Sequence, residues 1–392
     1  MKTLTIKKIE VVGNSLNCYI DGYEFNERNT IWIKVQEKYV PYLCKDRADC
    51  FFIYCLYKSI KEGYNLVSKV PVSERLLYQA THYLMPILCE IFKKEHIHIS
   101  APSIKTILPS QNAVGTGITG GVDSLFSIAT HSNQADLESF NLTHLVLMNV
   151  GSHHIGAESV DELFANRVKL AENFCNEYGY EFVLIDTNVA DFLQYDYTEY
   201  HGIVNQCTIL SLQQLFKYYY CSSSYSFADF KLNPYDVSNF ELFNLAVLET
   251  NNTTFYSVGG EITRYEKVKL LTRYEPSYKY LNVCNSYSYN CSKKTCVKCM
   301  RTILELDALN MLDKYEKVFD ISMYKKHKMD YLADMYARKI LRHDHYAYEI
   351  WDDITRKYHI PFHKKLYAII HFIYSRVKMY SVNNILIKLK NR

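Results

Sequence analysis

Apolar and polar positions alternate with period two over Leu4 to Val12, Leu16 to Ile20 and Thr30 to Val35, with Gly13-Asn14 and Asp21-Gly22 as punctuation. That alternation predicts three strands joined by tight turns. The period then lengthens. Ala48 to Lys61 and Ser73 to Lys94 place apolar residues at helical spacing, the second run opening on Ser73 as a predicted N-cap with Glu74 behind it. Ala101-Pro102 and Pro109-Ser110 interrupt the pattern. From Gln111 apolar runs and amphipathic runs take turns. Ala113 to Ile118, Thr143 to Val150, Glu181 to Asp186 and Thr254 to Val258 read as strands. Asp123 to Thr130, Ser159 to Tyr178 and Val204 to Tyr220 read as helices, and Cys221 to Asn239 as a loop. This alternation predicts an α/β fold built on a parallel sheet. After Cys299 the pattern is helical, and no internal repeat is present.

Composition changes little in this picture. The 392 residues suit two or three modules, and 48% hydrophobic with 22% charged residues is a globular mixture. The 36 tyrosines are scattered rather than grouped. Charge is uneven: Ile321 to Arg392 holds 15 Lys and Arg against 6 Asp and Glu, while the whole chain is only +3. A basic segment beside a mildly acidic body is either a solvated helical face or the seat of a polyanion such as nucleic acid. No run approaches the ~18 apolar residues of a membrane span. The first ten residues lack the apolar core of a leader, so a cytoplasmic protein without membrane attachment is expected.

The stretch Gly117 to Ser124, GITGGVDS, ends the first α/β strand and opens the following helix. A Walker loop would need a lysine after its last glycine, and Gly121-Val122 stand there instead. Gly115, Gly117 and Gly120 spell a dinucleotide fingerprint, but the second strand ends Met148-Asn149-Val150-Gly151 without the acidic residue that binds ribose. A third arrangement uses every residue. Thr119-Gly120-Gly121-Val122-Asp123-Ser124 lets the backbone curl so that N–H groups, two hydroxyls and a helix N-terminus face one anion.

Thr119 to Ser124 resembles the SGGxDS signature of the PP-loop ATP pyrophosphatases, with Thr in place of the usual Ser. The resemblance implies the adenine-nucleotide α-hydrolase fold, a Rossmann-like parallel sheet. It implies that Thr119, Gly120, Gly121, Val122 and Ser124 hold the pyrophosphate of ATP and that Asn149, Val150 and Gly151 cradle adenine. Asp123 would serve Mg²⁺ or the loop geometry.

Further along, Cys284, Cys291, Cys296 and Cys299 stand in the spacing C-x6-C-x4-C-x2-C. Four thiolates so spaced suit a closed tetrahedral zinc site. An iron–sulfur cluster, two disulfides or four free thiols would use the same residues, and zinc is the expectation adopted here. A PP-loop followed about 160 residues later by four cysteines and Met300-Arg301 resembles the 7-cyano-7-deazaguanine synthases. Thr263 to Val268 is similar to the segment preceding the zinc site in that family, with Lys267 matching its lysine. The likeness spans roughly Gln111 to Leu306. Residues 1 to 105 and the basic segment lie outside it.

The resemblance implies an ATP-dependent ligase that adenylates a carboxylate or amide with release of pyrophosphate, with ATP, Mg²⁺ and Zn²⁺ as cofactors. Asp123, Ser124, Lys267 and Arg264 are then the candidate catalytic residues, the two cations clamping developing charge. The partners to expect are a small carboxylate of 7-deazaguanine type or a macromolecule to be modified, nucleic acid at the basic segment, and a second copy of the chain. Longer relatives with such additions occur in bacterial gene clusters that include antiviral defence systems, which makes a defence role an expectation by association. Two alternatives stay open: a PP-loop tRNA-modifying enzyme, with Cys207 and Cys221 as sulfur candidates, and a zinc-braced module that binds nucleotide without turnover. His153-His154 and His201-Gly202 are further candidates near the sheet edge. His343 and His345 read as solvent-facing. The organisation expected is an N-terminal α+β domain (1–105), an ATP-binding domain (106–283), a zinc segment (284–320) and a helical region (321–392).

Overall fold

The strand-forming runs near the N-terminus do not make a sheet of their own. A computed structural model describes residues 2–133, 137–152, 159–293 and 295–375. In it β1 (Thr3–Val12), β2 (Ser15–Asp21) and β3 (Thr30–Val35) form an antiparallel meander. After α1 (Asp49–Glu62) come β4 (Asn65–Ser68), β5 (Val72–Ser73), α2 (Glu74–Gln79), α3 (Met85–Phe92), β6 (Ile99–Ser100) and β7 (Ser103–Ile104). The α/β alternation follows: β8 (Ala113–Gly117), α4 (Val122–His131), β9 (His144–Asn149), α5 (Val160–Tyr178), β10 (Glu181–Thr187), α6 (Val189–Leu193), α7 (Tyr197–Ile209), β11 (Phe216–Ser222), α8 (Glu241–Leu248) and β12 (Thr254–Val258).

Ten of these strands join one sheet, in the order β12-β11-β8-β9-β10-β3-β2-β1-β4-β6. The five from β8 to β12 are mutually parallel, and numbered among themselves they run 5-4-1-2-3. The chain therefore builds outward from β8 to β10, then crosses back to the other side of β8 for β11 and β12. β3 closes the outer side of β10 in antiparallel register, Ile185 opposite Val35. Beyond the strand proper, the Gln36 side chain continues the pairing, accepting from Leu184 N–H (2.7 Å) and donating to the Phe182 carbonyl (3.4 Å). β5 and β7 form a separate two-stranded pair.

The same core runs under both halves of this sheet. α1 is buried along twelve consecutive residues, Asp49 to Ile60, and shares a contiguous apolar cluster with β1–β3, α7, β11 and β12. Its Tyr54 hydroxyl bonds Thr208 on α7 (2.5 Å), and its buried Lys58 donates to the Leu193 carbonyl (3.0 Å) and pairs with Glu62. Long-range pairing of this kind removes the expected boundary at 105/106. The chain divides instead into the compact units Met1–Ile262 and Thr263–Arg392.

Two helix expectations change. Ser73 precedes α2, but its hydroxyl bonds the buried Asp49 carboxylate rather than the helix N-terminus. The helix it opens is broken by a π-helical turn, Ala80–Leu84, before α3. The run Val204 to Tyr220 is not one helix: α7 ends at Ile209 and β11 begins at Phe216, because Tyr218 to Tyr220 lie between the parallel neighbours β8 and β12. Residues with β-branched or aromatic side chains favour that setting.

The second unit is helical around the cysteine segment. α9 (Arg264–Leu271) opens on a capping box, Thr263 with Glu266. α10 (Ser277–Tyr280), α11 (Val297–Ala308), α12 (Ile321–Arg342) and α13 (His345–Lys357) follow. Asp307 at the end of α11 receives the Tyr324, Lys357 and Tyr358 side chains and lies 3.6 Å from Lys328, which fastens α12 and α13 to α11. Part of the basic surplus is thus balanced internally, with Lys364 on Asp330 and Lys325 on Asp313 adding to it.

Candidate functional site

In the first unit the parallel strands β8 to β12 all end on the same edge of the sheet, and β8 stands where the strand order reverses. The chain leaves β8 toward β9 on one side and β11 toward β12 on the other, an arrangement at whose carboxyl edge open α/β sheets as a rule form a ligand-binding crevice. The glycine loop fills this position. Gly120 has φ +73°, a left-handed turn that suits glycine. Gly121 then occupies the N-cap position of α4 and, having no side chain, supplies no cap of its own. The first turn of a helix presents N–H groups without intrahelical acceptors, and its dipole adds partial positive charge there.

Both hydroxyls of the loop hold its shape. Ser124, buried on the first turn of α4, donates to the Gly117 carbonyl (2.6 Å) and accepts from Thr119 N–H (3.1 Å). Thr119 Oγ1 accepts from Gly121 N–H at 3.4 Å. Val122 is buried beneath the loop, and Asp123 is half-buried at its rim. Ser127, one turn on, bonds Ser222 at the end of β11 (2.8 Å), which ties α4 to the strand across the crevice. The first glycine of the dinucleotide spacing has a packing origin here: Gly115 and Gly117 lie within β8, and a side chain at Gly115 would meet the Phe216 ring at 2.5 Å.

Asn149, Val150 and Gly151 follow β9 on the same edge. The Asn149 amide donates to Asp186 Oδ1 (2.9 Å), its partner in register on β10, and Asp186 also accepts from Thr187 N–H (3.0 Å). The Val150 carbonyl accepts from the Tyr200 hydroxyl (3.3 Å). Gly151 has φ +106°, and a Cβ there would lie 2.3 Å from that hydroxyl. Asp186 and Tyr200 were not singled out from the sequence. Asp186 ends a strand next to Asn149 and becomes visible once the parallel register is known, whereas nothing local marks Tyr200. His201 is held on α7, its Nε2 2.7 Å from Ser238 Oγ and its Nδ1 facing the Tyr197 and Thr198 carbonyls. Cys207 and Cys221 are buried, and burial pushes both thiols up, so neither is a ready nucleophile. His153 and His154 lie outside the described residues.

In the second unit Lys267 is 2% exposed on α9. Arg264, on the same helix, bonds Thr302 (3.0 Å) and pairs with the fully buried Glu305 of α11 (3.3 Å). This places a cation where its charge is already answered. Arg301 stacks its guanidinium on the Tyr346 ring, 3.5 Å from the centroid. His343 ends α12 in the left-handed region, and His345 lies 3.7 Å from Glu349.

The four cysteines converge. Their Sγ atoms all lie within 4.8 Å of one another, with Cys284 3.9 Å from Cys296 and Cys291 3.8 Å from Cys299. A tetrahedron with Zn–S near 2.3 Å requires sulfurs about 3.8 Å apart, so the group can hold a metal ion such as zinc. None of the four is in a disulfide. Cys296 occupies the N-cap position of α11 and Cys299 lies in its first turn, where the helix dipole favours thiolate. Contacts with Cys296 and Cys299 hold the Cys284 thiol far below the ordinary value, while contacts with Cys284 and Cys296 push Cys299 up. Burial raises Cys291 to about 11. A divalent ion held by these sulfurs would favour their thiolate forms.

Comparison of the chain with family models, with curated proteins and with solved structures finds no match. Among the described residues no helix is long and apolar enough to cross a membrane.

Proposed function

We propose that the chain is an ATP-dependent ligase of PP-loop type, which adenylates a carboxylate substrate and releases pyrophosphate, with zinc at the four cysteines as a structural brace. One observation carries this reading. The loop Thr119 to Ser124 stands at the carboxyl end of the strand where the order reverses, with a left-handed Gly120, a helix N-terminus whose N-cap residue is glycine, and hydroxyls locked inward. Such a loop would offer backbone N–H groups to a polyphosphate from a curl that its own hydroxyls already hold.

In this reading a substrate carboxylate oxygen attacks the α-phosphorus of ATP, forming a new P–O bond as the bond to the β-phosphate oxygen breaks. Pyrophosphate leaves with that electron pair into the cradle of Gly120, Gly121 and Val122 backbone. Ammonia or another amine then attacks the acyl adenylate, and AMP departs. Asp123 is the carboxylate at hand for Mg²⁺, which would neutralise charge on the leaving group. Asn149, Val150 and Gly151, with Asp186, line the edge beside the loop where adenine and ribose would lie. The similarity to 7-cyano-7-deazaguanine synthases makes a 7-deazaguanine carboxylate the first substrate to try.

Purified protein with ATP, Mg²⁺, ammonia and 7-carboxy-7-deazaguanine is expected to release pyrophosphate, and Asp123→Ala to lower the rate by about 100-fold or more. Absence of pyrophosphate above the no-enzyme control, or an unchanged rate in the variant, would overturn the proposal.

A further inference from the structure

Cys296 and Cys299 take their places from α11, and Cys284 follows directly on the segment after α10. Cys291 has no such support, for it lies in an irregular stretch. Its two neighbours are held from elsewhere. Asn290 Oδ1 accepts from Val283 N–H (2.8 Å), and its Nδ2 donates to the Leu281 carbonyl (2.8 Å) and to the Val318 carbonyl (3.1 Å). Ser292 is fully buried with φ +49°. Its Oγ accepts from Asp320 N–H (2.9 Å), and its carbonyl accepts from the Tyr331 hydroxyl. Val318, Asp320 and Tyr331 belong to α12 and the turn before it, and Tyr331 is 1% exposed.

We propose that residues 318–331 act as a clamp on Cys291, so that retention of a thiolate-bound metal depends on the Tyr331 hydroxyl. The inference rests on the reading of the four cysteines as a metal centre. Each contact reaches the residue before or after the ligand rather than the sulfur, which makes Tyr331 a positioning residue. Groups of this kind orient ligands and commonly alter metal affinity by about 10- to 100-fold. Because coupling is reciprocal, bound metal would also hold the start of α12 in place.

Tyr324 supplies a matched control. It lies two turns earlier on α12 and is equally buried, but its hydroxyl donates to Asp307, away from the cysteine segment. The full-length protein would be loaded with zinc, and zinc transfer to a chromogenic chelator followed for the unaltered chain, Tyr331→Phe, Ser292→Ala and Tyr324→Phe. Tyr331→Phe and Ser292→Ala are expected to release zinc about 10- to 100-fold faster, with Tyr324→Phe unchanged. In the zinc-stripped proteins the two tyrosine variants should have similar thermal midpoints, and loading with zinc should separate them. Equal zinc retention in Tyr331→Phe and the unaltered chain would overturn the clamp, as would equal weakening by Tyr324→Phe. Failure of the unaltered chain to bind one zinc would overturn the metal reading itself, a distinct result.

Discussion

Side chains at the glycine loop serve the backbone more than any ligand. Ser124 and Thr119 both face inward, so the loop keeps its curl before a phosphate arrives. Gly151 plays a comparable part on the next strand: it is glycine because Tyr200 occupies the space of its side chain and because φ is +106°. Gly179 shares the positive φ, at +76°, but a Cβ there meets nothing within 4 Å. Gly179→Ala is therefore expected to cost about 1–2 kcal/mol of stability from backbone strain alone. Gly151→Ala should cost clearly more, because the Tyr200 hydroxyl must also move. Urea unfolding of the two variants tests this, and equal losses would contradict the packing described around Tyr200.

At the scale of elements, the parts that were legible in the sequence are those whose information is local. β9 and β10 are buried on both faces and read as continuous apolar runs, LVLM and FVLI. α5 carries its own signals, with Ser159 accepting from Glu162 N–H at one end and Gly179 in the left-handed region at the other. The four cysteines were legible because metal chemistry needs specific residue types at short spacing. β11 was not. Its residues FKYYYCS follow LSLQQL without a glycine or proline between them, so the helical period runs on into the strand. Yet β11 creates the reversal of strand order that makes the crevice. The clamp on Cys291 was equally illegible, since Ser292 and Tyr331 are joined across 39 residues.

At the scale of the whole molecule, each unit holds a group that resists protonation in the folded chain. In the first, burial lowers the His144 imidazole to about 4, so the folded chain refuses a proton that the unfolded chain accepts from about pH 6.5 downward. Stability of Met1–Ile262 from this group is complete above pH 6.5 and is lost as pH falls toward about 4. The buried Asp49 carboxyl is raised by desolvation and works in the opposite sense. In the second unit, burial opposes ionisation of Asp307, but Tyr324, Lys357 and Lys328 outweigh it and hold the carboxyl low. Its contribution persists above about pH 3.9 and fades only as pH falls through the lower folded value. The two tryptophans report on the units separately, Trp32 in β3 and Trp351 in α13. Trp351→Phe, leaving Trp32, should therefore show loss of stability beginning near pH 6.5, flattened by adding His144→Phe. An identical profile with and without His144 would refute the assignment.

The pairing of β3 with β10 has a practical consequence for anyone dissecting the chain. A fragment starting near Gln111 would contain the whole glycine-loop sheet and still be an unsound molecule. It would bare β10 as an unpaired apolar edge, open to other copies of itself. Such a fragment is expected to come out of cells as insoluble β-rich aggregate, while the full chain stays in the supernatant. Recovery of a monodisperse fragment by size-exclusion chromatography would show that the meander is dispensable. On the geometry described, it is the hem that keeps the sheet from unravelling into its neighbours.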